Sequence, residues 1–364
     1  MKKILIIANN AGGLFRFRGM LIKTLMEQGN DVFASVPFDN SVPDLEKMGV
    51  HIIETSIDRR GINPIKDVKL IFSCLKNFKR VKPDLVITYT IKPNVYGGFI
   101  ARITNVPYAL NITGLGTAFQ NNGILRKAVT LMYKLACKKA KVVFFENAEN
   151  RQIFIDERIV KEEQTCLLNG AGVDLEHFQV NEYPPDVGIT RFLFIGRVMK
   201  EKGIHELFSA MQMLRDAQID CVLDVVGGCE EDYTEQIKQC VDKGWLIYHG
   251  MQKDVRPFID NCHCFVLPSW HEGMANTNLE SAASGRPVIT SNIPGCMEAV
   301  VDGKTGYLAE RKNAEDLYRV MKKFAELPYE ERKAMGLAGR KHMEEVFDKK
   351  KVVKATIQAL ELDK

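Results

Sequence analysis

None of the nine cysteines forms a CxxC pair, and the nearest two, Cys262 and Cys264, have a single residue between them. Disulfide frameworks and zinc ribbons both need regular spacing, so these cysteines read as reduced, mostly buried thiols of a cytoplasmic protein. Cys262-His263-Cys264 opens the apolar run Cys262–Leu267, which reads as a buried strand rather than a metal site. No window approaches the ~18 uncharged apolar residues of a membrane span. The apolar run Ile4–Ala8 behind Met1-Lys2-Lys3 is too short for a signal peptide and leads into Asn9-Asn10-Ala11-Gly12-Gly13, which is turn chemistry. A soluble protein is expected, with contact to a membrane surface left open. GxGxxG is missing, as is an acidic residue ending the second strand, so a dinucleotide site is poorly supported. There is no Asp-x-Asp at a strand end. Excess charge is missing too: 50 basic residues against 46 acidic ones give +4, and nothing global calls for nucleic acid.

What is present is a chain of 364 residues, 46% hydrophobic and 26% charged, which suits two globular domains. Its charge is divided unevenly. Residues 1–180 carry 25 Lys and Arg against 17 Asp and Glu (+8), and the remainder 25 against 29 (−4). In the first half, strands are expected at Ile4–Ala8, Asp31–Val36, Val50–Glu54, Leu85–Tyr89, Tyr108–Ile112 and Val142–Glu146, with helices at Met20–Gln28 and Leu125–Lys139. Periodicity breaks at Gln179–Thr190, around Tyr183-Pro184-Pro185-Asp186 and Gly188. It restarts with strands Arg191–Ile195, Cys221–Val226, Ile247–His249 and Cys264–Leu267 and helices Ile204–Arg215 and Asp232–Lys243. The architecture implied is α/β: two Rossmann-like, doubly wound parallel-sheet domains, with ligands in a cleft between them. The domains are placed at 1–180 and 181–348, followed by a C-terminal helix over 349–364.

Four loops follow predicted strands. Gly12-Gly13 lets backbone N–H groups approach an anion at a helix start, with Arg16 and Arg18 nearby, although a bare tight turn explains the pair equally well. Gly196-Arg197-Val198-Met199-Lys200-Glu201-Lys202-Gly203 places two cations, Arg197 and Lys202, before a helix, where a diphosphate is the natural occupant and solvated surface the plainer reading. The third runs from Ser269 through Glu272-Gly273-Met274-Ala275-Asn276-Thr277-Asn278-Leu279-Glu280 to Gly285-Arg286-Pro287-Val288-Ile289 and carries two glutamates separated by seven residues. Thr277-x-x-Glu280 also has the form of a capping box, which leaves Glu280 a purely structural alternative. The fourth is Thr113-Gly114-Leu115-Gly116-Thr117.

Together these stretches resemble the retaining glycosyltransferases of family 4, which have the two-domain GT-B fold. Gly196-Arg197 with Lys202-Gly203 matches the family's Gly-Arg-x4-Lys-Gly loop, and Glu272 with Glu280 its Glu-x7-Glu element, followed by Gly285-Arg286-Pro287-Val288-Ile289. Asn169-Gly170-Ala171-Gly172-Val173-Asp174 and Phe178 are similar to its interdomain crossing, which absorbs Asp174-x-Glu176. Thr90-Ile91-Lys92-Pro93-Asn94 and Thr113-Gly114-Leu115-Gly116 resemble the bacterial surface-polysaccharide branch.

The resemblance implies a retaining, metal-independent transfer from a nucleotide-diphosphate sugar, with UDP as the nucleotide, to a saccharide acceptor linked to undecaprenyl diphosphate. Arg197 and Lys202 would hold the diphosphate, Glu280 the ribose and Glu272 the sugar. Gly12, Gly13, Gly196, Gly273, Met274, Ala275, Asn276, Thr277 and Leu279 would complete the donor site, with Arg16, Lys92, Thr113 and Gly114 on the acceptor side. No cofactor, metal or nucleic acid is implied, and the final helix is expected to pack back on the first domain. Where many members carry a histidine after the fifth strand, this chain has Thr113 and Gly114, so no protein base is nominated. Arg126, Lys127, Lys134, Lys138, Lys139 and Lys141 on the helix from Leu125 suit an anionic membrane surface, or merely a solvated face. A nucleotide-sugar 2-epimerase and a non-catalytic nucleotide-sugar-binding subunit are the alternative readings; the Glu-x7-Glu element argues against the first and the intact clamp against the second.

Overall fold

Apolar runs buried on both faces make parallel strands, and two such sets give two sheets. The computed structural model describes residues 1–57, 64–116, 119 and 123–362. Its chain divides into two compact units, Met1–Ala171 with Lys350–Lys364, and Gly172–Lys349.

Among the described residues, seven strands build the first sheet: β1 (Lys3–Ile7), β2 (Asp31–Val36), β3 (His51–Glu54), β4 (Leu85–Tyr89), β5 (Tyr108–Ile112), β6 (Val142–Phe145) and β7 (Thr165–Leu167). Their order is β3-β2-β1-β4-β5-β6-β7, with every pair parallel. Ile4, Ile6, Leu21 and Leu25 pack with Val353 and Ile357 on one face, so the helices Ala11–Glu27 and Lys349–Ala359 cover that side. On the other face Leu5, Ile7 and Leu110 pack against Leu70 and Phe78 of the helix Pro64–Val81 and against Tyr133 and Ala136 of the helix Ile124–Cys137.

The second sheet has six described strands: β8 (Thr190–Ile195), β9 (Cys221–Val226), β10 (Leu246–Gly250), β11 (Cys264–Leu267), β12 (Val288–Ser291) and β13 (Gly306–Ala309). Its order, β10-β9-β8-β11-β12-β13, is again wholly parallel. Both sheets therefore reverse winding beside their first strand, at β1/β4 and at β8/β11. In doubly wound sheets such switch points open a crevice beyond the carboxyl ends of the strands.

Two boundaries depart furthest from the sequence reading. The second unit begins at Gly172 rather than residue 181, because the outgoing and returning chain segments are hydrogen-bonded to each other. Val173 donates to the Phe347 carbonyl at 2.8 Å and accepts from the Lys349 N–H at 3.0 Å. The Pro-rich stretch lies within that unit, with Tyr183 buried and its hydroxyl donating to the His263 carbonyl at 2.7 Å. The first helix starts at Ala11, nine residues before Met20, with Asn10 as its N-cap. Gly12 and Gly13 thus form a first helical turn, not a loop; their low helix propensity hid the start.

Candidate active site

In the second unit the residues after β8 are drawn against those after β11. A single 3₁₀ turn, Lys200–Lys202, leads to Gly203, whose φ of +72° starts the helix Ile204–Asp216. A Cβ at Gly203 would lie 2.0 Å from the Pro268 carbonyl oxygen, so only glycine permits this approach. The Trp270 N–H donates to the Glu201 carbonyl at 2.9 Å across the same seam. Lys202 Nζ consequently forms an ion pair with the Glu272 carboxylate, at 17% and 12% side-chain exposure. Ser269 Oγ donates to Glu272 Oε1 at 2.7 Å. A carboxylate holding an ammonium and a hydroxyl, with most of each ion out of water, sits at the β8/β11 switch point.

Gly295 fixes the other side of this loop. Its φ is +84°, and a Cβ there would stand 2.6 Å from the Glu272 carbonyl oxygen; its own carbonyl accepts from the Ala275 N–H at 2.7 Å. The helix Asn276–Ala283 follows, with Ala275 before its first residue and no side-chain cap. Thr277 lies inside the first turn, so the capping-box alternative for Glu280 is not realised. Glu280 is instead a buried carboxylate one turn into the helix. Asn276 Oδ1, Asn278 Oδ1 and Ser281 Oγ of the same helix, and Ser291 Oγ of β12, are buried without a hydrogen-bond partner in the protein.

Arg197 is held apart from Lys202. Its NH1 donates to Glu230 Oε2 at 2.6 Å, and both side chains are partly exposed. The two cations of the expected clamp therefore have separate carboxylate partners. Cys262-His263-Cys264 is structural: burial pushes the Cys262 thiol up to about 12. His263 Nδ1 accepts from the Arg191 N–H at 2.9 Å while Nε2 faces the Pro185 carbonyl at 3.3 Å. Asp174 Oδ1 accepts from the N–H groups of Glu176 and His177, at 3.0 Å each, as a turn residue.

In the first unit the glycine-bearing helix start is covered by the chain's own acid. Asp39 Oδ2 accepts from the Ala11 and Gly12 N–H groups at 2.9 and 3.2 Å, and the Asn10 side chain accepts from Gly13. Arg16 is exposed, but Arg18 is buried in an ion pair with Glu146 and lies over the Tyr89 ring at 4.8 Å. The surroundings are therefore less cationic than Arg16 and Arg18 suggested. Lys92, just beyond β4, pairs with Asp67 at 2.7 Å. Thr113 and Gly114 follow β5 and are half-buried, and Thr117 lies outside the described residues. Nothing in the sequence marks Asp39, Glu146, Glu230 or Gly295 as a site residue, although Asp39, ahead of Asn40-Ser41, and Gly295, behind Pro294, carry local turn signals.

Two Rossmann-order sheets, the second with a buried ion pair at its switch point, define the class of two-domain α/β proteins to which GT-B transferases belong. Residues 178–342 match the family model described as glycosyl transferases group 1, and residues 3–147 the model described as glycosyl transferase 4-like. An α-1,3-galactosyltransferase of Escherichia coli, named for UDP-Gal and α-D-GlcNAc-diphosphoundecaprenol, is 30% identical over 270 residues, covering 69% of this chain and 68% of that one. The N,N'-diacetylbacillosaminyl-diphospho-undecaprenol α-1,3-N-acetylgalactosaminyltransferase of Campylobacter jejuni is 28% identical over 331 residues, covering 86% and 87%. Among solved structures, HepE of Anabaena in complex with UDP and glucose has a TM-score of 0.81 at 16% identity, covering 100% of both chains. Sucrose-phosphate synthase of Thermosynechococcus elongatus has 0.82 at 19%, covering 100% and 99%. The chain belongs to the group 1, family-4-type glycosyltransferases and has the GT-B fold.

Proposed function

We propose that this glycosyltransferase moves a sugar from a UDP-sugar to an undecaprenyl-diphosphate-linked saccharide in the synthesis of a bacterial surface polysaccharide. The observation that carries this reading is the Lys202–Glu272–Ser269 cluster at the β8/β11 switch point. The names of the Campylobacter jejuni and Escherichia coli relatives support the acceptor, and the latter's supports a UDP donor.

In this reading the donor diphosphate draws Lys202 and Arg197 from their carboxylate partners and is neutralised by them, without a metal or cofactor. Glu272, relieved of its ammonium, accepts from hydroxyls of the donor sugar. Glu280 accepts from the ribose hydroxyls, and the backbone over residues 273–279 with Gly196 lies along the nucleotide. Gly12 and Gly13 serve by close approach rather than as N–H donors, since Asp39 and Asn10 already hold their N–H groups. Arg16, Lys92, Thr113 and Gly114 are assigned to the acceptor. The bond from the anomeric carbon to the phosphate oxygen breaks, and the acceptor oxygen bonds to the same face. The acceptor proton passes to the leaving phosphate, so configuration is retained without a protein nucleophile.

Purified protein incubated in EDTA with a panel of UDP-sugars and undecaprenyl-diphosphate-linked N-acetylhexosamine tests this. Extension of the lipid-linked sugar by one residue, in α configuration from an α-linked donor, is the expected product. Release of UDP with no extended lipid under any donor overturns the acceptor assignment, and dependence on added divalent metal overturns the metal-free mechanism. An acceptor anchored in a bilayer brings the enzyme to the cytoplasmic membrane surface as a peripheral protein.

A further inference from the structure

The sequence holds two tryptophans, and the second unit treats them differently. Trp245 is 2% exposed and lies in the hydrophobic core. Trp270, two residues before Glu272, is half-buried and is not part of that core. Its ring is covered by ammonium groups instead: Lys200 Nζ lies 5.5 Å from the ring centroid and Lys312 Nζ 4.3 Å. To reach the indole, Lys312, three residues beyond β13, stands at a φ of +62°, a left-handed conformation that few non-glycine residues adopt. The indole Nε1 donates to Glu206 Oε1 at 3.2 Å, in the first turn of the helix Ile204–Asp216. Glu206 Oε2 is buried without a hydrogen-bond partner in the protein.

These contacts set Trp270 across the turn that bears Lys202. Lys200 precedes Lys202, Glu206 follows it, and the Trp270 N–H holds the Glu201 carbonyl between them. Glu272 is two residues further along the chain, so one side chain registers both members of the Lys202–Glu272 pair. A half-exposed indole, an orphaned carboxylate oxygen and a left-handed lysine are each a local cost, and costs gathered beside a functional pair point to a role beyond packing. In the ligand-free protein the ion pair itself joins the two segments. When a donor diphosphate takes Lys202 that tie opens, while Trp270 still grips Lys200 and Glu206. Ser269 Oγ also stays on Glu272, but it belongs to the same loop and moves with it.

We propose that Trp270 is a positioning residue for sugar transfer: its indole keeps the Glu272 loop registered on the Lys202 turn after the donor has broken their ion pair. This rests on the reading of Lys202 and Glu272 as donor-holding groups, and Trp270 acts through Glu272 without touching substrate. Because the ion pair bridges the free protein, loss of the indole falls on turnover and leaves the melting temperature close to that of wild type. Steady-state transfer from a UDP-sugar to an undecaprenyl-diphosphate-linked acceptor is measured for wild type, W270L, W270F, E206Q, E272Q and W270L/E272Q, each alongside its melting temperature. W270L is expected to lower kcat by ~10- to 100-fold, the scale of a misplacement of about 1 Å, with little change in donor KM. W270F keeps a ring for the lysines but no N–H and falls between; E206Q still accepts from the indole and turns over like wild type. In the E272Q background W270L lowers kcat no further, as for two residues that act through one interaction, whereas a merely structural loss multiplies. Where W270L does not fold, W270F and W270F/E272Q carry the same comparison. Wild-type kcat in W270L, or losses from W270L and E272Q that multiply in full, overturn the role of Trp270 and leave the functional reading standing. No transfer by wild type from any UDP-sugar overturns both.

Discussion

Lys202 and Glu272, 70 residues apart, meet in a mostly buried ion pair because Gly203 lets the chain after β8 press onto the Pro268 carbonyl after β11. A buried charge pair is weak evidence for stability, since desolvation offsets much of the Coulomb gain. Its position at a switch point gives it a chemical reading instead: an ammonium stored on a carboxylate until a diphosphate displaces it.

Removing that ammonium is expected to slow transfer strongly. Lys202→Ala lowers kcat by ~10²–10³-fold, the scale of losing one preorganised electrostatic partner. Arg197→Ala acts in the same direction. Steady-state kinetics on folded variants check this, and wild-type turnover in either variant removes it from the clamp.

Glu280 separates binding from stability. With its capping role excluded by the helix start at Asn276, Glu280→Gln is expected to weaken UDP binding, read by calorimetry, while thermal unfolding of the ligand-free protein changes little. A lower melting temperature with unchanged UDP affinity would return Glu280 to a structural role.

Gly203 and Gly295 hold close backbone approaches on either side of the Lys202–Glu272 pair. Gly203→Ala combines a left-handed φ with a Cβ 2.0 Å from a carbonyl oxygen, so it costs ~1–3 kcal/mol or more. Urea unfolding measures the loss, and activity falls with it because Lys202 is its immediate neighbour. A Gly203→Ala protein of wild-type stability would contradict the geometry.

His263 makes the second unit sensitive to acid. Burial, then the nearby Arg332 and Arg286, holds its pKa below 6.5, against some opposition from the Pro185 carbonyl and Asp186. Protonated Nδ1 would confront the Arg191 N–H that it now accepts. The depressed folded value means that this contribution is complete above pH 6.5, the unfolded value, and is lost as pH falls through the folded value. Melting temperature therefore drops on acidification below about pH 6.5, and His263→Gln shows a shallower drop. Equal slopes would remove His263 as the cause.

The fold was legible where strands are buried on both faces. Leu85–Tyr89 and Tyr108–Ile112 read to the residue because every position is apolar or packed. β7, Thr165–Leu167, has no fully buried residue and gave no pattern. The start of the first helix was hidden by two glycines, and the true domain break by hydrogen bonds between Val173, Phe347 and Lys349 that no local pattern encodes. In the site, Arg197, Lys202, Glu272 and Glu280 stand in recognisable spacings. Their partners do not: Glu230 lies 33 residues beyond Arg197 in an unremarkable acidic stretch, and Asp39 reaches Ala11 across 28 residues.

Transfer of radiolabelled sugar into the lipid fraction reads out sugar transfer from a UDP donor through Lys202. Wild-type protein in EDTA, given a UDP-[¹⁴C]sugar and an undecaprenyl-diphosphate-linked acceptor, is expected to move label into the butanol-soluble lipid, and Lys202→Ala to do so ~10²–10³-fold more slowly. Label that stays in the aqueous phase with every UDP-sugar excludes transfer to the lipid-linked acceptor, and label that moves equally fast with Lys202→Ala removes Lys202 from the reaction.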